Sequence, residues 1–125
     1  MHKFFLQFAA LSGALAVCLG AFGAHALKDR LAESGLTGTY ETAVSYHFYH
    51  TLALLAIGLL AMKFPSGMIH TSGYTMIAGL VVFSGSLYVL SLTGIRWLGA
   101  ITPIGGLAFI VGWVCLFIAV YRAAL

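Results

Sequence analysis

The chain has 125 residues, of which 62% are hydrophobic and only 7% charged. A soluble domain carries roughly a quarter of its residues as charges, so an ordinary soluble surface is excluded; apolar residues blocked into long runs call for one integral membrane domain. The formal net charge of +3 comes from six basic residues scattered along the chain. With no basic run for a phosphate backbone to contact, nucleic acid is not an expected partner, and the lipid bilayer is.

Phe4 to Ala24 is apolar apart from Gln7 and Ser12. Lys3, this apolar run and Ala24-His25-Ala26 together imitate a secretory signal, but the run exceeds the ~7–15 residues of a signal core. Ala9, Gly13, Ala16, Gly20 and Ala24 add a small-residue stripe that lets another helix approach closely. A retained first span over residues 4–26 is expected. Lys28, Asp29, Arg30 and Glu33 then form a solvated face on one or two turns of interfacial helix, stopped by Gly35 and Gly38.

The second span is expected over 40–63, ending at the turn signal Lys63-Phe64-Pro65-Ser66-Gly67, with His70, Thr71 and Ser72 in a short loop. The third covers 73–93 and closes at Thr93-Gly94. After Arg96 and Trp97 the fourth covers 101–122, opening at Thr102-Pro103, where the hydroxyl caps and proline lacks an N–H that is orphaned anyway. Trp97 and Tyr121 suit the interfaces, and Trp113, deeper, suits packing. The basic residues divide evenly, Lys3, Lys63 and Arg122 against Lys28, Arg30 and Arg96. Cys18 and Cys115 sit late in antiparallel spans, about 10 Å apart in depth. A disulfide tolerates roughly 7 Å between Cα atoms, so two separate buried thiols are expected.

Alternating span direction gathers the polar residues in one half of the bilayer. The end of span one brings His25, and span two enters beside it with Glu41, Ser45, Tyr46, His47 and His50. Span three returns with Ser84, Ser86, Tyr88 and Ser91, and span four departs with Thr102-Pro103-Ile104-Gly105-Gly106. Intramembrane polar groups are expensive and usually have partners, a function or both. At about 100° per residue His47 and His50 share a face, with Tyr46 beside His50, while Glu41 points away. The H-x-x-H spacing chelates a metal only with a third ligand, for which His25 is the candidate. Each group also has a plainer role. The histidines and serines can bond neighbouring helices, Glu41 suits a first helical turn, and Gly105-Gly106 either packs closely or leaves N–H groups bare for an anion.

Gly20-Ala21-Phe22-Gly23-Ala24-His25-Ala26-Leu27, Thr42-Ala43 with Tyr46 and His50-Thr51-Leu52-Ala53, Phe83-Ser84-Gly85-Ser86-Leu87-Tyr88, and Thr102-Pro103-Ile104-Gly105-Gly106 with Gly112-Trp113 resemble the DUF423 family along nearly the whole chain. These are small four-span membrane proteins related to a mitochondrial transmembrane protein family. The resemblance implies a bacterial inner or plasma membrane location and an uncleaved first span, and it implies no activity. The family pattern admits a non-histidine polar residue at the position of His47, which moves weight to His25 and His50.

The expectation is therefore an all-α integral membrane bundle of four transmembrane helices with short loops and a short interfacial segment between spans one and two, assembling as a homo-oligomer. A polar pocket near one membrane face is expected from His25, Glu41, Tyr46, His47, His50, Ser84, Tyr88, Ser91 and Thr102, serving a binding or transport module. The alternative is a structural or accessory protein in which these groups only make interhelical hydrogen bonds. No cofactor is required; a metal ion is the one to consider, with His25, His47 and His50 as candidate ligands. No nucleophile or acid/base set marks an enzyme.

Overall fold

In the computed structural model, which describes residues 2–124, the chain forms α1 (His2–Ala24), α2 (Lys28–Ser34), α3 (Thr37–Lys63), α4 (Gly67–Gly79), a π-helical turn (Leu80–Ser84), α5 (Gly85–Thr93), a 3-10 turn (Arg96–Ala100) and α6 (Thr102–Arg122). No strand occurs among the described residues. Four helical stretches are long and apolar enough to cross a membrane: His2–Ala24, Thr37–Lys63, Gly67–Thr93 and Arg96–Arg122. The third is continuous through α4, the π-turn and α5. The bundle runs up-down-up-down, with α2 as the interfacial segment.

Some boundaries differ from the sequence reading. His70, Thr71 and Ser72 are helical rather than in a loop, because the Ser66 hydroxyl caps α4 by accepting from the Ile69 N–H at 3.2 Å. Gly35 ends α2 at φ 71°, as a left-handed C-cap suits glycine; Gly38 stops nothing and lies in the first turn of α3. Cys18 and Cys115 are free thiols. Cys18 is exposed on α1 rather than buried, because Ala16 and Gly23 take the face turned toward α3.

The small-residue stripe of α1 is used within the chain. A Cβ on Gly13 would lie 3.7 Å from Thr51, one on Gly20 3.3 Å from Val44, and one on Gly58 2.8 Å from Leu6. These contacts advance seven residues on one helix as they retreat seven on the other. That two-turn repeat is the register of left-handed antiparallel pairing. At its upper end the Tyr40 ring fills the notch at Gly23, and its hydroxyl donates to the Leu19 carbonyl.

The other helices pair by the same device. Phe109 of α6 fills the space over Gly79, Phe5 of α1 fills that over Gly73, and Ser72 donates to the Gly112 carbonyl at 2.7 Å. Between lipid-solvated helices packing replaces the hydrophobic effect as the main attraction, so these aromatic-on-glycine contacts carry much of the association. One buried apolar cluster, including Phe5, Leu54, Ile57, Ile69 and Met76, fills the half of the bundle that holds the loop between α3 and α4. A second, built from Leu27, Leu31, Leu36, Tyr40 and Leu90, seats α2 across the opposite end. There Arg30 donates to the Leu92 carbonyl, satisfying one of the acceptors left bare at the C-terminus of α5.

Candidate functional site

His47 lies in the third turn of α3, between α1 and α5, and is 5% exposed. Both ring nitrogens are engaged. Nε2 meets the Ser12 hydroxyl at 2.9 Å, and Nδ1 meets the Tyr88 hydroxyl at 2.9 Å. Ser12 also meets Thr51 at 2.6 Å. Three spans are thus joined by one chain, Thr51–Ser12–His47–Tyr88, and the Tyr40 ring stands edge-on to Tyr88 at 5.4 Å.

A neutral imidazole has one donor and one acceptor, so this chain has two self-consistent arrangements. In one, Tyr88 donates to Nδ1, Nε2–H donates to Ser12, and Ser12 donates to Thr51. In the other every bond is reversed: Thr51 donates to Ser12, Ser12 to Nε2, and Nδ1–H to the Tyr88 oxygen. The reversed form leaves the Tyr88 proton free for another acceptor. Below Thr51 the apolar cluster around Leu54, Ile57 and Met76 closes the bundle, so the chain of bonds stops at mid-membrane.

His50, one turn on, faces the other way. Its Nδ1–H donates to the Tyr46 carbonyl at 2.9 Å, so Nε2 must be the acceptor, and it receives the Trp113 indole N–H at 3.1 Å. The ring stacks on Phe109 at 3.6 Å and lies parallel to Tyr46 at 5.7 Å. Both nitrogens of this imidazole are engaged, Nδ1–H within α3 and Nε2 across to α6.

The expected residues are therefore only partly brought together. His47, Ser84 and Tyr88 line one place, described below. Tyr46 and His50 belong to the α6 contact. Thr102 meets Ser86 at 2.6 Å, joining α6 to α5, and Ser91 bonds the Leu87 carbonyl of its own helix. Glu41 is exposed beside Gly20, Ala24 and Ser45, in a depression of about 270 Å³ on the α1–α3 seam. His25 is exposed in the turn after α1. The register that sets Gly13 against Thr51 puts His25 level with Thr39, eleven residues from His50 and about 17 Å along the helix. Among the described residues no group of three His, Cys, Asp or Glu side chains is placed to hold a metal ion.

Ser12, Thr51 and Trp113 are the partners that sequence reasoning did not assign. Ser12 carried a signal, being the one hydroxyl in α1. Thr51 and Trp113 become partners only once the helix register and the side of α3 facing α6 are known.

Past the Phe5–Gly73 contact, α1 and the third span part and leave a groove of about 400 Å³ with α3 as its floor. Its walls are Phe8, Leu11, Leu15 and Leu19 from α1, facing Leu80 and Val81. Ser12, His47, Ser84 and Tyr88 supply its few polar atoms. Leu11, Leu15 and Val81 are exposed and sit near the middle of their spans, so the mouth opens sideways. Ser84 closes the π-turn and is 1% exposed. Its hydroxyl is the one buried side-chain polar atom without a hydrogen-bond partner among the described residues. By contrast Thr71, Thr75, Ser86, Ser91 and Thr93 all bond carbonyls three or four residues back in their own helices.

The sequence profile described as "Protein of unknown function (DUF423)" matches residues 19–106. The chain belongs to this family. It is 46% identical over 121 residues to the UPF0382 membrane protein YwdK of Bacillus subtilis, covering 96% of this chain and 98% of that one. A UPF0382 membrane protein of Staphylococcus epidermidis is 47% identical over 122 residues, covering 98% of each chain. The relative SAB0533 of Staphylococcus aureus, also named a UPF0382 membrane protein, is 45% identical over the same shares. No solved structure matches. The family name and the four apolar helices agree that this is a multi-pass membrane protein in contact with lipid.

Proposed function

We propose that the protein is a binding module of a bacterial inner or plasma membrane that takes a small lipid-soluble molecule into the groove between α1 and the third span. The carrying observation is the hydrogen-bonded floor of Ser12, His47 and Tyr88 inside a groove that is otherwise apolar. Its volume of about 400 Å³ falls within the range of small-molecule sites, which are mostly apolar with a few convergent polar groups. Binding is favoured over passage across the membrane because the apolar cluster closes the bundle below Thr51. The plainer role, joining helices, fits His50, Ser72, Ser86 and Thr102, whose polar atoms are bonded within the bundle.

Leu15→Trp tests this reading, because Leu15 is half exposed on the groove wall and a larger ring there fills the groove without entering the core. Wild-type protein released into mild detergent is expected to retain a bound small molecule in native mass spectrometry. Leu15→Trp is expected to lose it with an unchanged melting temperature. A wild type with nothing bound, or a variant that keeps the molecule, sinks the proposal.

We also infer a homo-oligomer formed through α6. Leu107, Ile110, Val114, Phe117 and Tyr121 are exposed there and recur at steps of three and four residues, the spacing of a two-helix seam. Ile110→Cys is expected to crosslink across such a seam in membranes in a Cys18→Ala, Cys115→Ala background. Leu11→Cys, on α1, is expected to stay monomeric on the same gel, and equal crosslinking from both positions counts against the seam.

A further inference from the structure

We propose that the molecule taken into the groove is a lipid-soluble quinone, held by hydrogen bonds to its ring carbonyls from Ser84 and Tyr88. This rests on the binding role proposed above and adds the chemistry of the ligand.

The argument starts from Ser84. A buried hydroxyl without a partner forfeits about 1–3 kcal/mol, and serines elsewhere in this chain avoid that loss by bonding carbonyls of their own helix. Ser84 does not, although it lies in a helix and is nearly fully buried. It closes the π-turn, where the extra residue shifts the carbonyls that a serine would ordinarily reach. Its side chain forms part of the groove wall; the oxygen is buried when the groove is empty, and a turn between the two χ1 wells that a helix allows re-aims it. What it lacks is an acceptor.

Tyr88 stands one turn further on, on the same face, with Cβ atoms about 6 Å apart for residues at this spacing, and its hydroxyl lies a ring's length further out, at His47. When the Thr51–Ser12–His47 chain donates toward Tyr88, the phenol proton is free as well. The groove thus offers two O–H donors, on residues one turn apart and with the phenol reaching further out, and, among its lining residues, no charged group. The matching ligand is uncharged, carries two acceptor oxygens separated by one ring, and has an apolar body for Phe8, Leu11, Leu15 and Leu80. A phospholipid acyl chain supplies the apolar body and no acceptor at this depth. A quinone with a hydrocarbon tail supplies both, and a flat ring suits the aromatic wall of Phe8.

The test compares decyl-1,4-benzoquinone with decylbenzene, which keeps the ring and tail and lacks the carbonyls, by calorimetry in lipid nanodiscs. Wild type is expected to bind the quinone at least about tenfold more tightly, the worth of a hydrogen bond or two in a site dry enough to need them. Ser84→Ala, which removes a hydroxyl that has no partner and so leaves folding intact, is expected to cut most of that preference and leave decylbenzene unchanged. Equal binding of the two probes by wild type, or a preference that survives Ser84→Ala, overturns the quinone assignment and leaves the groove as a binding site. Failure of both probes to bind, or equal binding to wild type and Leu15→Trp, overturns the groove reading and this inference with it.

Discussion

Gly105→Ala is expected to destabilise the protein by about 3 kcal/mol, the upper end of the range for overpacking, whereas Gly106→Ala is expected to be neutral or slightly stabilising. The two glycines are neighbours at the start of α6, yet they face different surroundings. A Cβ on Gly105 would lie 2.3 Å from the Phe83 backbone nitrogen and 2.7 Å from its Cα. Backbone inside a helix cannot swing aside as a side-chain tip can, so α6 must move away from the π-turn. Phe109, one turn later, would then lose its seat over Gly79 and its stack on His50. At Gly106 the nearest atoms are Phe83 ring carbons at 3.7 and 3.8 Å, ordinary contact distances. There alanine contributes its helix preference, up to about 1 kcal/mol over glycine. Thermal midpoints of both variants in one detergent decide the matter; equal losses at the two positions would refute the close approach of α6 to the π-turn.

His47→Leu is expected to cost about 2 kcal/mol, and Tyr88→Phe in the same chain to return part of it. Leucine at 47 fills similar space but leaves the Tyr88 hydroxyl and the Ser12 hydroxyl short of a partner in a low-dielectric setting. Removing the Tyr88 hydroxyl as well takes away the one true orphan, because Ser12 keeps Thr51 as a partner. The coupling energy of the His47–Tyr88 pair is expected at ~1 kcal/mol, since hydrogen bonds between membrane helices average ~0.6 and reach ~1.7 kcal/mol. A double-mutant cycle read from chemical unfolding in mixed micelles gives this number directly. Strict additivity of the two substitutions would mean that the bond does not hold α3 to α5.

Much of the architecture is legible in the sequence. Four apolar stretches, the charged break at Lys28 to Glu33 and the Thr102-Pro103 start all carry local signals, and each became a helix boundary or a span. The Thr102 hydroxyl, however, does not cap α6 as expected, because Thr102 is already helical and its hydroxyl meets Ser86. The gathering of hydroxyls and histidines toward the α2 end also followed from alternating span direction alone. What could not be read was which groups meet. Helical phase put His47 and His50 on one broad face, but 60° is enough to send one toward α1 and the other toward α6 once both neighbours are packed. The union of His25 with His50 failed for a different reason. Shared membrane depth was inferred from span ends, while the seven-residue register of α1 against α3 fixes the depths themselves. The π-turn at Leu80–Ser84 has no compositional mark, because inserting one residue into a helix changes hydrogen bonding and leaves the apolar pattern nearly intact. Gly105-Gly106 offered packing or anion binding, and the seat of Gly105 against Phe83, where an added Cβ would lie 2.3 Å from the backbone nitrogen, selects packing at Gly105.

The sideways mouth of the groove, framed by Leu11, Leu15 and Val81, changes the dimension in which occupancy is counted. A molecule entering there never leaves the hydrocarbon, so its effective concentration is a mole fraction in the bilayer rather than a molarity in water. A tail that already prefers lipid gains little by moving into an equally oily wall, and selection falls almost wholly on the few polar atoms at the floor. Expanding the membrane area at a fixed number of ligand molecules would empty the groove, while diluting the cell suspension would leave it filled.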